Sequence, residues 1–218
     1  KTEKIRLGTG IIQISSRVPA MIAMTAQSLS RVSYDRFILG LGVSGPQVVE
    51  GLHGAEFSSP VARLEECAEI IKKAVAGQKV EFSGKHYQLP RLGGEGKAIK
   101  LSQNVRHIPI YLATLGPKAL ELTGRVADGW LGTAFVPEHA NIFLDPMERG
   151  AKESGRNLED IDIQVGGSFE LGDDVERMVE ERKPAMAFTL GAMGSAKTNF
   201  YHDAFRRAGY VDAAIEVQ

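Results

Sequence analysis

The chain has 218 residues, enough to bury a substantial core as one large domain or two small ones. With 43% hydrophobic and 24% charged residues it has the composition of an ordinary globular protein. Its net charge of -1 argues against a general attraction to nucleic acid or to an anionic membrane. One cysteine, Cys67, excludes an intrachain disulfide, and nothing in the sequence points to secretion, so a cytoplasmic protein is expected. No apolar run is long enough to span a bilayer, and no basic-then-apolar leader opens the chain. The five histidines are scattered without metal-ligand spacing, which argues against a zinc site.

In chain order, Lys1 to Lys4 lack an initiator methionine and run straight into an apolar segment, as expected of a fragment or of an unrecorded beginning. Segment 5–12 reads as a buried strand, with Gly8 and Gly10 inside it. Glycines there signal a bulge or a close backbone approach, or else packing against a neighbouring helix. A second strand, 37–43, runs into Gly42-Val43-Ser44-Gly45, and Pro46–Glu50 is one short helical turn. Residues 60–76 form an amphipathic helix with Leu64, Cys67, Ala68 and Ile71 on one face and charges on the other. Ser59 is its expected cap, Pro60 opens its first turn and Gly77 stops it; Cys67 is a core residue.

Lys79 to Leu89 reads as a hairpin turning at Ser83-Gly84, and Leu92 to Lys100 as a loop, together an insertion at about 78–107. Strand 108–114 leads into Leu115-Gly116-Pro117-Lys118 and a helix to about Ala127. This is either a plain strand-to-helix turn or an anion site, with helix amides and Lys118 facing the anion. Strands 129–134 and 161–167 follow, and from Asp173 the chain is helical with a break at Gly191 to Gly194. Continuously apolar strands alternating with helices imply an α/β fold with a parallel sheet, either a doubly wound sheet or a (β/α)8 barrel.

Gly40-Leu41-Gly42-Val43-Ser44-Gly45 matches a dinucleotide-binding glycine pattern, but the context is wrong. That pattern needs a helix directly after it and an acid at the next strand end about twenty residues on. Here Pro46, Gly51 and Gly54 follow, and Glu65, Glu66 and Glu69 lie on a helix. These glycines are instead expected to let the backbone approach a ligand at a strand's carboxyl end.

The segments "RLGTGIIQ", "RFILGLGVSGPQVVEGLHG", "IPIYLATLGPKALELTGRVADGW" and "KTNFYHDAFRRAGY" together resemble the luciferase-like flavin and deazaflavin oxidoreductases, most closely the branch that uses coenzyme F420. The likeness runs over the whole chain in the family's order. It implies one (β/α)8 barrel domain over 1–218, incomplete, with about strands three to seven present. It also implies hydride transfer between F420 and a small organic substrate; the alternatives are a monooxygenase using flavin mononucleotide (FMN) and a non-catalytic relative. A homo-oligomer is left open.

The resemblance places a bulge behind the cofactor ring at Gly10-Ile11, often with a non-prolyl cis peptide. It places a ring-side loop at Gly42, Val43, Ser44 and Gly45. Ala113, Thr114, Leu115, Gly116, Pro117 and Lys118 fall where the phosphate-bearing tail is held. An acid common in the first loop is replaced by Pro46-Gln47, with Glu50 near enough to reach back. No catalytic acid or base is assigned, because in the relatives it comes from the second strand. His53 reads as a turn residue, Trp130 as packing and Asp128 as a brace.

Overall fold

The computed structural model describes residues 2–101, 107–167, 169–195 and 197–217. Along the chain lie β1 (Leu7–Gly8), β2 (Ile12–Gln13), α1 (Pro19–Val32), β3 (Phe37–Gly42), α2 (Pro46–Gly51) and α3 (Pro60–Val75). The hairpin strands β4 (Phe82–Ser83) and β5 (Gln88–Leu89) come next, then β6 (Ile110–Ala113), α4 (Pro117–Val126), β7 (Gly129–Gly132) and α5 (Asn141–Glu153). The chain continues through β8 (Asp162–Val165), α6 (Val175–Ala187), α7 (Phe200–Arg207) and α8 (Val211–Glu216).

The main sheet is parallel throughout, ordered β1-β3-β6-β7-β8, with β2 also pairing with β3. Neighbours in the sheet are therefore successive in sequence, and the order never reverses as it would in a doubly wound sheet. The covering is one-sided as well. Leu39, Leu41, Ile110 and Leu112 point to the helices and form one core with Ile22, Leu64 and Ile71. Trp130 forms a second with Leu120, Phe143 and Met147. The alternate residues face inward, where Arg6 donates to Tyr111 Oη (3.2 Å) and to Asp162 Oδ2 (3.0 Å), and Tyr111 donates to the same carboxylate. Parallel strands in sequence order, with the helices on one face only, make this an incomplete (β/α)8 barrel.

Glycine sets the closest approaches. A Cβ on Gly124 would lie 1.9 Å from Met147 O, and one on Gly150 would lie 1.8 Å from Glu121 O, so α4 and α5 cross backbone to backbone. A Cβ on Gly129 would meet the Tyr111 ring at 2.6 Å. Pro60 and Pro117 open α3 and α4 as expected, and Gly77 (φ +65°) ends α3. Ser59 does not cap α3. Its backbone is left-handed (φ 47°), and its side chain makes no capping bond.

The expected hairpin is present as a separate two-stranded sheet, outside the main one, and Gly84 N closes its turn onto Tyr87 O at 2.9 Å. It is pinned to α3 by Glu66, whose carboxylate accepts the amides of Lys85, His86 and Tyr87, each at 2.9 Å. Positions 102–106 of the expected insertion lie outside the described residues. No helix among the described residues is long and apolar enough to cross a membrane.

Candidate functional site

The segment expected as one strand, 5–12, is broken in two. Gly8 sits opposite Ile38 and Ile12 opposite Leu41, so four steps on one strand face three on the other. The extra residue is a bulge, and the Gly10–Ile11 peptide within it is cis. Thr9 replaces the lost ladder bonds, its hydroxyl donating to Gly40 O (2.9 Å) and accepting from Gly40 N (3.0 Å). Thr9 O stands 1.9 Å from where a Cβ on Gly40 would be, so only glycine fits there. Neither glycine of this segment packs on a helix: Gly8 faces Ile38 of the next strand, and a Cβ on Gly10 would meet nothing within 4 Å.

The bulge adjoins the other two expected segments. Ile11 Cδ1 lies 2.8 Å from the Cβ position of Gly42, and Gly42 pairs with Ala113. Ser44 is left-handed (φ 61°), and Gln13 Nε2 reaches its hydroxyl at 3.4 Å. Gly45 precedes α2 without a side-chain cap. Three carboxyl strand ends, those of β2, β3 and β6, thus meet in one place, where barrel enzymes hold ligands.

Not every side chain of these segments faces that place. Val43 packs into the helix-side core. Thr114 is buried, its hydroxyl paired with Thr123 Oγ1 at 2.7 Å and its carbonyl accepting from Trp130 Nε1 at 2.9 Å. The carbonyl of Leu115 accepts from Arg207 Nη2 at 2.6 Å. Beyond it, a Cβ on Gly116 would meet nothing within 4 Å. The first helical bond of α4 is from Leu120 N to Gly116 O (2.9 Å), which leaves the amides of Lys118 and Ala119 outside the ladder.

A cavity of about 440 Å³ opens there, lined by Gly116, Pro117, Arg206 and Arg207 among others. Burial lowers the Arg207 pKa, opposed by Asp203. Lys118 is exposed and has no ion pair among the described residues. The two arginines were not expected from the sequence, where they read only as part of a helix.

The remaining expected residues sit as follows. Glu50 does not reach back to the strand ends, because its Oε1 accepts from Phe57 N (3.3 Å) and holds the following loop. His53 closes the turn after α2, its amide donating to Val48 O at 3.1 Å. Trp130 is fully buried against Phe143 and Phe135. Asp128 braces the opposite end of the sheet, its Oδ2 accepting from Ile110 N at 2.8 Å.

The sequence model of the luciferase-like monooxygenases matches residues 1–218. The chain belongs to the luciferase-like monooxygenase family. Among its luciferase-like relatives, it is 40% identical to a Mycobacterium tuberculosis protein named as a coenzyme F420-dependent oxidoreductase, over 99% of this chain and 65% of that one. It is 32% identical to a 5,10-methylenetetrahydromethanopterin reductase of Methanolobus tindarius, over 87% of this chain and 56% of the relative. The chain therefore spans less than two thirds of the length of these curated luciferase-like relatives. Among solved structures, the coenzyme F420-dependent tetrahydromethanopterin reductase of Methanopyrus kandleri superposes with a TM-score of 0.75 at 28% identity, covering 90% of this chain and 58% of that one.

Proposed function

We propose that the protein is an F420-dependent oxidoreductase that moves a hydride between the deazaflavin and a small organic substrate. One observation carries this reading: the carboxyl ends of β2, β3 and β6 meet at the Gly10-Ile11 bulge, Gly42 and Ala113, and β6 leads within three residues to the cavity at Gly116 that Arg206 and Arg207 line. A flat ring with an anionic tail needs that combination. The residues fit such a group, since the Cβ positions of Gly10 and Gly116 face open space while those of Gly40 and Gly42 are filled by the protein itself. The named activities of the F420-dependent relatives support the same choice.

When bound, the cofactor supplies a ring carbon that accepts or gives up the hydride. The protein supplies position. The bulge at Gly10-Ile11 presents backbone where a side chain would obstruct the ring, and Gln13 holds Ser44 beside it. The amides of Lys118 and Ala119, with the Lys118, Arg206 and Arg207 side chains, would hold the tail and its phosphate. F420 extends past that phosphate into lactyl and glutamyl units, whereas FMN stops there. Arg206 and Arg207 would suit the longer anion, with Asp203 on the same wall opposing it and Arg207 also bonded to the carbonyls of Leu115 and Ile142. The single cysteine and ordinary charge balance are in keeping with a cytoplasmic enzyme.

Titration of the full-length protein with F420 and with FMN tests the reading. F420 should bind more tightly, and the reduced holoenzyme should react only slowly with oxygen. Purification with bound FMN and fast oxygen-dependent turnover would replace the proposal with the monooxygenase alternative.

A further inference from the structure

A second cavity, of about 360 Å³, lies on the other side of the β2–β3 pair from the Gly10–Gly42 surface. Two of its walls, Ile14 and Val43, belong to the core between sheet and helices, whereas Ile11 and Gly42 face inward. Val18, Val49, Phe57 and Pro60 complete an apolar lining.

One end of this cavity is polar. Arg63, half-buried on the first turn of α3, donates from Nε to Ser58 O (2.9 Å) and from Nη2 to Ser58 Oγ (3.4 Å). No carboxylate lies within ion-pair distance of it among the described residues, although Glu56 lines the same cavity. Arg17, the other basic lining residue, is exposed and donates to Thr25 Oγ1 at 3.5 Å. The Tyr87 hydroxyl also has no partner among the described residues, and burial pushes its pKa up to about 12, so it stays a neutral donor. Arg63 thus keeps Nη1 and part of Nη2 unused beside an apolar hole, with the uncapped amino end of α3 adding to the positive potential.

A half-buried cation without a counter-ion is costly, and an anion that brings its own apolar body would relieve both defects at once. The volume is that of a small-molecule site. We propose that this cavity binds a small amphiphilic organic acid, its carboxylate on Arg63 and Tyr87 and its chain against Val18, Val49 and Phe57. Guanidinium geometry suits a carboxylate, which can take two parallel hydrogen bonds from it. The site stands on the opposite face of the strands from the proposed cofactor surface, and the inference is independent of that reading.

Octanoate, 1-octanol and octyltrimethylammonium, titrated calorimetrically into the full-length protein, test it. Octanoate should bind saturably at one site, about tenfold or more tighter than the alcohol, and the cation should not bind. Arg63→Gln should weaken octanoate by about tenfold, Tyr87→Phe by a few-fold, and Val49→Trp should fill the hole and abolish binding. Octanoate affinity should be the same with F420 present at saturation. Equal affinity for acid and alcohol, no saturable binding to the unaltered protein, an unchanged affinity in both Arg63→Gln and Tyr87→Phe, or displacement by F420 would each overturn the proposal. The last would assign the cavity to the cofactor.

Discussion

The two faces of the parallel sheet obey different rules. Toward the helices, most alternate residues are large apolar side chains, and Leu39, Leu41, Leu112 and Trp130 are wholly buried. Toward the interior, the same strands carry Gly8, Gly40, Gly42, Ala113 and Gly129, with Arg6, Tyr111 and Asp162 among them. The helix-facing side is packed for stability, and a lost or added atom is felt there at once. The interior side keeps room, in places held open by glycine and in places filled by a neighbour's backbone. Substitutions of the same kind should therefore act on stability on one face and on binding on the other.

The largest effect belongs to the helix layer. Gly150→Leu must displace the carbonyl of Glu121, and urea unfolding should show a loss of about 3 kcal/mol or more, or no folded protein. If Gly150→Leu melted like the unaltered chain, the backbone-to-backbone crossing of α4 and α5 would be wrong.

Next comes Glu66, which fastens the hairpin. Burial opposes its ionisation and is the largest single influence, yet the amides of His86, Tyr87 and Lys85 together outweigh it and hold the carboxyl below its ordinary value. A carboxyl depressed in the folded state stabilises at pH above its unfolded value, and that contribution fades as pH falls through the lowered folded value. Glu66→Gln should cost about 2 kcal/mol at neutral pH and flatten this acid-side loss in a series of denaturant melts. An unchanged acid limb would show that the three amides do not favour the ionised form.

Gly10→Val separates the faces most directly. Its Cβ enters open space, so the melting temperature should barely move, while F420 affinity should fall by about tenfold, roughly 1.4 kcal/mol. Unchanged affinity in a folded variant would remove the bulge from the proposed site. The smallest effect is expected of Lys118→Glu, an exposed charge reversal that should weaken both F420 and FMN by several-fold and lose its influence at high salt.

Much of the helix-facing side was legible in the sequence, because burial there leaves a periodic apolar trace. Strand 37–43 became Phe37–Gly42, and helix 60–76 became Pro60–Val75. Where local backbone overrides composition, the reading failed: serine at position 59 has the right chemistry for a cap but the wrong φ. Glu50 failed for a related reason, since its nearest amide belongs to the loop that follows it. The bulge was half legible, from two glycines in a strand, with its ring-side meaning supplied by family resemblance. Arg207 was out of reach, because its contact with Leu115 joins residues 92 positions apart and leaves no periodic signature. The Arg63 cavity is hidden in the same way, being made by residues as far apart in the chain as Ile14 and Tyr87.

The Arg6–Tyr111–Asp162 bonds have a mechanical meaning. Arg6 stands just before the first strand of the arc and Asp162 opens the last, so their contact joins two ends of a curve through its hollow side. Such a chord spans the hollow side of the curve at the amino ends of its strands. The pair is largely exposed and stands away from the mouth where the candidate site lies, so cutting it should leave the width of that mouth to strand twist and helix packing.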